Sequence, residues 1–167
     1  MHRRALALLL LVMALGACSS PARHVPATGS RPPTVSATPP GPAPQTAAAL
    51  IRIAQVFNTD YDNNNDGPVY DRWDTRSQAV ISRAEYIRRH TECPTAPQAP
   101  AHVESAAPGP HGAWLVRYEI GGQQFTDYWF YASRRWVFDL LLSNPAAAQQ
   151  YRLPFAKYAT AIGCNGH

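Results

Sequence analysis

The sequence predicts an α+β domain with helices packed on one face of an antiparallel sheet. Three observations carry that expectation. Apolar side chains recur at helical spacings between residues 46 and 91. From 102 to 142 the chain turns to alternating aromatic and β-branched residues. The pairs Gly121-Gly122 and Ser133-Arg134 are two-residue hairpin turns that divide this second stretch. Helices first and a meander afterwards make two packed layers.

Two segments precede the domain. Residues 1–17 begin Met-His-Arg-Arg, continue through an apolar run from Ala5 to Leu15 and end Gly16-Ala17. A basic start, an apolar stretch of this length and small residues at its end make a secretory signal peptide. The run falls short of the ~20 apolar residues that a membrane-spanning helix needs. Leu15-Gly16-Ala17-Cys18 resembles the lipobox of bacterial lipoproteins, which implies an acylated Cys18, export, and a lipid anchor facing outside the cytoplasm. Residues 18–45 form the tether, with 8 Pro among residues 19–45 and almost no large apolar side chain. Such a segment cannot bury enough surface to offset its ordering, so a disordered, polyproline-leaning linker is expected. The domain is 46–167.

Within it, Leu50, Ile53, Ala54, Phe57 and Tyr61 give a helical face over 46–60, broken by Asp62 to Pro68. A shorter helix follows over 69–75, with Val69 and Trp73 inward. Ser82 and Glu85 fit a capping box, and Ile81 with Tyr86 fits the hydrophobic staple around it. That helix should run to Thr91 and stop at Cys93-Pro94. Strands are expected over 102–106, 113–120, 123–132 and 135–142, and closing helices over 144–151 and 155–162.

Composition narrows the function classes. The formal charge is +4, but Arg3, Arg4, Arg23 and Arg31 lie ahead of the domain. Taking those 4 from 15 Lys+Arg leaves 11 against 11 Asp+Glu, so the folded part is neutral and a nucleic-acid partner loses its electrostatic support. There is no Gly-x-Ser-x-Gly elbow, phosphate loop, dinucleotide fingerprint or His-Glu-x-x-His, and no cofactor is expected. Arg88-Arg89 and Arg134-Arg135 read as solvated.

The chain has 3 Cys. With Cys18 lipidated, Cys93 and Cys164 are left as a disulfide pair in an oxidising compartment. The competing arrangement is zinc on His90, Cys93, Cys164 and His167, whose two-residue spacings mirror each other. Asp62-x-Asn64-x-Asp66-Gly67 matches the start of a calcium loop, but position 12 is Trp73, so an Asx-rich turn is the expectation.

The hairpin turns set a register with Val116 opposite Asp127 and Asp127 opposite Leu140. Trp114, Tyr118, Phe125, Trp129, Tyr131, Trp136, Phe138 and Leu142 then share one face with Asp127, its only charged residue. A carboxylate on an apolar wall is costly unless paired or protonated. Asp127 is therefore either a structural group bonded to Arg52, Arg72, Arg76 or a loop backbone, or placed in solvent by a one-residue register slip, or a general base or ligand anchor with Tyr118 and Trp129 shaping its pocket. No strand His completes a dyad, and His90 and His102 are expected on the surface or satisfied.

This element order, with the helix start Ser82-Arg83-Ala84-Glu85-Tyr86 ahead of the sheet, resembles the nuclear transport factor 2-like superfamily and its polyketide-cyclase-like members. The resemblance covers about residues 46–142 and implies a curved, cone-like sheet. The whole pattern, with 14 Arg against 1 Lys, also looks like small exported lipoproteins of actinobacterial type. The superfamily holds both enzymes and binding modules, so the resemblance settles no activity. The leading expectation is a membrane-anchored cell-envelope lipoprotein whose domain binds an apolar small molecule or an envelope protein without catalysis. The alternative is an enzyme of isomerase, dehydratase or cyclase type using Asp127 as base.

Overall fold

The computed structural model describes residues 42–94, 96 and 98–164. The signal peptide, Cys18 and His167 lie outside the described residues. Helices and a four-stranded antiparallel sheet of order β1-β2-β3-β4 pack together around one apolar core.

The first helix, α1 (Ala47–Asp62), starts where Thr46 caps the Ala49 amide, and it buries Leu50, Ala54 and Phe57. The left-handed Asn64 ends that stretch, and α2 (Asp66–Asp71) and α3 (Thr75–Gln78) follow as two short pieces in place of one helix over 69–75. The reason is Asp74, whose carboxylate accepts from the Ser77 amide and starts a new helix. Ser82 caps α4 (Arg83–Glu92) through the Glu85 amide, and Ile81 and Tyr86 are both buried, as a staple requires. The Glu85 carboxylate pairs with Arg88 and Arg89.

Arg89 is not solvated as expected. It is 5% exposed, pairs with Glu85 at 2.7 Å, and donates to the carbonyls of Tyr151 and Leu153. Its guanidinium also lies 4.9 Å from the centre of the Tyr158 ring. A long cation with five donors can bind two helix termini together, and here it joins α4 to the C-terminal helices.

The sheet runs β1 (His102–Pro108), β2 (Trp114–Ile120), β3 (Gln123–Ala132) and β4 (Arg135–Phe138), with a register shift in β1 between Val103 and Ser105. Both hairpin turns have positive φ at their two central residues, even the non-glycine Ser133 and Arg134, as the twist of a tight hairpin demands. Trp114 lies opposite Trp129, and Val116 opposite Asp127 as expected.

The last strand differs from the expectation. It stops at Phe138, so Asp127 has no β4 partner and the Leu140 pairing fails. Asp139 turns the chain into α5 (Leu140–Ser143) by capping the Leu142 amide. An unbroken Leu-Leu-Leu run suits a buried strand or a helix equally, and the capping carboxylate decides it. Leu142 therefore leaves the sheet and is 48% exposed. Two further helices, α6 (Pro145–Tyr151) and α7 (Phe155–Ala161), close the fold.

Asp139 is fully buried and also holds Arg76, while the neighbouring Ser77 hydroxyl accepts from the Leu140 amide. Asp139→Ala should destabilise the domain by about 2 kcal/mol through a lost cap on the part-buried Leu142 amide and the lost Arg76 pair. The check is a lower urea midpoint at unchanged m-value.

Candidate functional site

The site is built on the inner face of the β2–β3 hairpin. Side chains alternate across a strand, so the turn at Gly121-Gly122 puts Val116, Tyr118, Asp127 and Trp129 on one side. Asp127 is 7% exposed, although two of its strand neighbours, Phe125 and Thr126, are exposed. Among the described residues no arginine is bonded to it. Arg76 pairs with Asp74 and Asp139, and Arg72 points its guanidinium at the Trp136 carbonyl, 3.4 Å away. The contact that Asp127 does make is the Tyr118 hydroxyl at 3.5 Å, long for an O–H donor. Burial with so little compensation pushes the Asp127 pKa up to about 7, against a smaller lowering by Tyr118. The Tyr118 phenol is pushed up in turn, by its own burial and then by the Asp127 charge.

Asp127 and Tyr118 face a cavity of about 190 Å³ enclosed by α1, Trp73, α4, the hairpin, α5 and α6. Its mouth is framed by the exposed Phe125, Thr126 and Asn144. Trp129 is not in the wall. It is fully buried behind it, edge-on to Phe57 at 5.2 Å and to Phe138 at 5.6 Å, so its role is packing. Asn58, Trp73, Tyr86 and Tyr151, none of them singled out in the sequence as a site residue, line the cavity too. Asn58 Nδ2 and Trp73 Nε1 are buried without an acceptor. The Tyr86 hydroxyl lies near that of Tyr151 without the alignment of a hydrogen bond. The Trp129 indole N–H also lacks an acceptor, away from the cavity. Each unmet donor costs about 1–3 kcal/mol of desolvation.

Behind Tyr86 sits a buried polar group that sequence spacing does not show. His90 is 3% exposed, with Nε2 2.8 Å from the Tyr151 hydroxyl and Nδ1 3.2 Å from Asp66 Oδ1, the latter off the line of a hydrogen bond. Burial lowers the His90 pKa to about 4 and raises that of Asp66 to about 6, so the imidazole is neutral at pH 7. His90 is thus buried rather than on the surface, while His102 is exposed.

Among the described residues neither metal arrangement is assembled. Asp66 turns inward to His90, whereas Asp62 accepts from the Gln98 side chain and the Ala101 amide, so the carboxylates of a calcium loop do not converge. Cys93 and Cys164 are joined in a disulfide, which removes both thiolates from any zinc site. Among the described residues no group of three or more His, Cys, Asp or Glu is placed to hold a metal ion. No helix among them is long and apolar enough to cross a membrane, and the disulfide suggests an extracytoplasmic protein.

The chain matches no protein-family model, no curated protein and no solved structure.

Proposed function

We propose that this chain is an exported, lipid-anchored envelope protein whose α+β domain, cone-like in the manner of nuclear transport factor 2-like proteins, binds a small molecule between its helices and sheet. The observation that carries the reading is a buried Asp127 facing a cavity with no cation beside it among the described residues. Burying a carboxylate is unfavourable, and a fold rarely keeps one in that state without use. The size of the cavity sets the scale of the ligand. A cavity of about 150 Å³ is known to hold benzene, while drug-sized molecules need roughly 300 Å³ or more. A volume of about 190 Å³ suits one ring with a short substituent.

The test is a single-ring fragment screen by thermal shift on the oxidised protein. A fragment at about ten times its Kd should add about 1.4 kcal/mol, a rise of roughly 4–5 °C. Ala147 is half-buried in the cavity wall on α6, and Ala147→Phe should fill the space and abolish the shift while the variant still folds. Shifts that persist in this variant would place binding elsewhere.

An enzymatic reading is favoured by one further feature: the Asp127 carboxyl titrates near neutral pH, where a general acid–base is most effective. The two readings separate on Asp127→Asn. A binding module keeps its ligand in this variant, whereas an enzyme keeps its ligand and loses turnover.

A further inference from the structure

The last residues of the expected linker are held by the domain. Ahead of α1, the Ala43 carbonyl accepts from the Tyr131 hydroxyl at 2.7 Å, and the Pro44 carbonyl accepts from Trp136 Nε1 at 3.1 Å. Pro44 also accepts from the Thr46 amide at 3.0 Å, so the segment leads straight into the residue that caps α1. The two donors belong to one aromatic group, in which Trp136 meets Trp114 and Tyr131 edge to face at 5.3 and 5.1 Å. Trp136 is fully buried, and Trp114 and Tyr131 are partly buried. The group lies at the β3–β4 end of the sheet. Tyr131 is six residues along β3 from Phe125 at the cavity mouth, about 20 Å at ~3.3 Å per residue, and none of the three aromatic residues lines the cavity.

The segment is suited to being held in this way. Pro42 and Pro44 have no N–H to donate, and a residue ahead of a proline is confined to extended backbone, which applies to Ala43. Extended backbone of this kind makes no internal hydrogen bonds, so its carbonyls are free to accept. An indole N–H and a phenol supply one donor each on a flat, stiff side chain, the means by which aromatic surfaces take proline-rich segments. Ala43 packs on the core while Pro42 and Pro44 stay exposed, so the prolines stiffen the segment and the carbonyls anchor it. We propose that Trp114, Tyr131 and Trp136 form a second binding seat, separate from the cavity, for an extended Pro-x-Pro segment with a small central side chain, and that its resident occupant is this chain's own Pro42-Ala43-Pro44. The covalent link holds that occupant at an effective concentration of roughly millimolar order, and the seat accepts the same segment from a separate peptide once its own is removed. The chain entering the domain is thereby gripped at the end of the sheet away from the cavity mouth.

The test uses the oxidised full-length protein and the indole N–H resonances of its 4 Trp in a ¹⁵N correlation spectrum. The triple variant Pro42→Gly, Ala43→Ser, Pro44→Gly should vacate the seat and move the Trp136 Nε1–H resonance upfield. A synthetic peptide of residues 39–46, Pro-Pro-Gly-Pro-Ala-Pro-Gln-Thr, should return that resonance toward its wild-type position. It should bind the variant at least about 10-fold more tightly than the wild type, whose seat is filled. The same peptide carrying Pro42→Gly and Pro44→Gly has more freedom to lose and should bind about 5-fold more weakly. In the otherwise unaltered chain, Tyr131→Phe keeps the ring and removes one bond, so hydrogen exchange at Trp136 Nε1–H should quicken about 5-fold.

A triple variant whose Trp136 resonance stays at the wild-type position would show that the segment is not held there and would overturn the proposal. A folded variant that ignores the peptide would reduce the contact to a consequence of chain continuity and overturn the seat as a binding site. Equal binding of the two peptides would overturn the part given to the prolines. If the triple variant does not fold, Tyr131→Phe decides: unchanged exchange at Trp136 overturns the grip, and faster exchange supports it. The cavity reading stands or falls separately, because the seat shares no residue with the cavity wall.

Discussion

Asp127→Asn should raise the melting temperature at pH 8 and change it little at pH 4.5. Burial lifts the folded-state pKa of Asp127 from the ordinary 3.8 to about 7, so the fold favours the protonated carboxyl. A group raised in this way contributes stability that is fully present below pH ~4 and lost as pH climbs through about 7. A rise of about three units, at about 1.36 kcal/mol each, makes the ionised carboxylate a burden of roughly 4 kcal/mol above neutrality. Asn keeps the shape of the protonated acid and does not titrate. The variant should therefore gain about 2–4 kcal/mol at pH 8, on the order of 10 °C for a domain of this size. His90 acts in the opposite sense. Its pKa is lowered to about 4, so its contribution is present above pH ~6.5 and lost as pH falls through 4. Asp66, raised like Asp127, and Tyr118 are common to both proteins. The difference between the two melting curves thus isolates Asp127. If Asp127→Asn melts lower at both pH values, the carboxylate is held as a bonded anion, and both functional readings lose their main support.

Removing the disulfide should have a comparable effect with a different signature. Cys93 ends α4 and Cys164 follows α7, and the bond between them spans a sequence separation of 71. In the chain-entropy picture a loop of that length contributes about 4 kcal/mol, chiefly by restricting the unfolded chain. The paired Cys93→Ser, Cys164→Ser variant should melt roughly 15 °C lower. It should nevertheless keep the pH signature of Asp127. The Tyr151 wall of the cavity is held by Arg89 through the Tyr151 and Leu153 carbonyls, and that attachment does not pass through the bond. Thermal melts of the Ser variant at pH 4.5 and 8 check both statements. Loss of the pH signature together with the bond would show that the C-terminal helices need the disulfide to enclose the cavity.

Much of the architecture is readable without coordinates, because its signals are local. Thr46 and Ser82 cap helices through amides three residues on, and the two tight hairpin turns settle which β2 residue faces which β3 residue. The register of that hairpin brings Asp127 inward, and the spacing of two residues puts Tyr118 on the same face as Val116. The Cys93–Cys164 disulfide follows from an odd cysteine count once the resemblance of Leu15-Gly16-Ala17-Cys18 to a lipobox sets Cys18 aside. Where local signals compete, the reading goes astray. Leu140 to Leu142 suit strand and helix alike, and the Asp139 carboxylate tips them into α5.

The sequence by itself determined the layers, the hairpin register, the starts of α1 and α4 and the inward direction of Asp127, since each depends on residues a few positions apart. Only the tertiary structure decided what Asp127 meets. Whether an arginine reaches it depends on how the helices seat on the sheet, and Arg76 is instead held by Asp139, 63 positions along the chain. The same seating buries Arg89, sets Asp66 against His90, and brings Asn58, Trp73 and Tyr86 to one cavity. These are meetings between residues on different elements, and no periodicity along the chain encodes the distance between them.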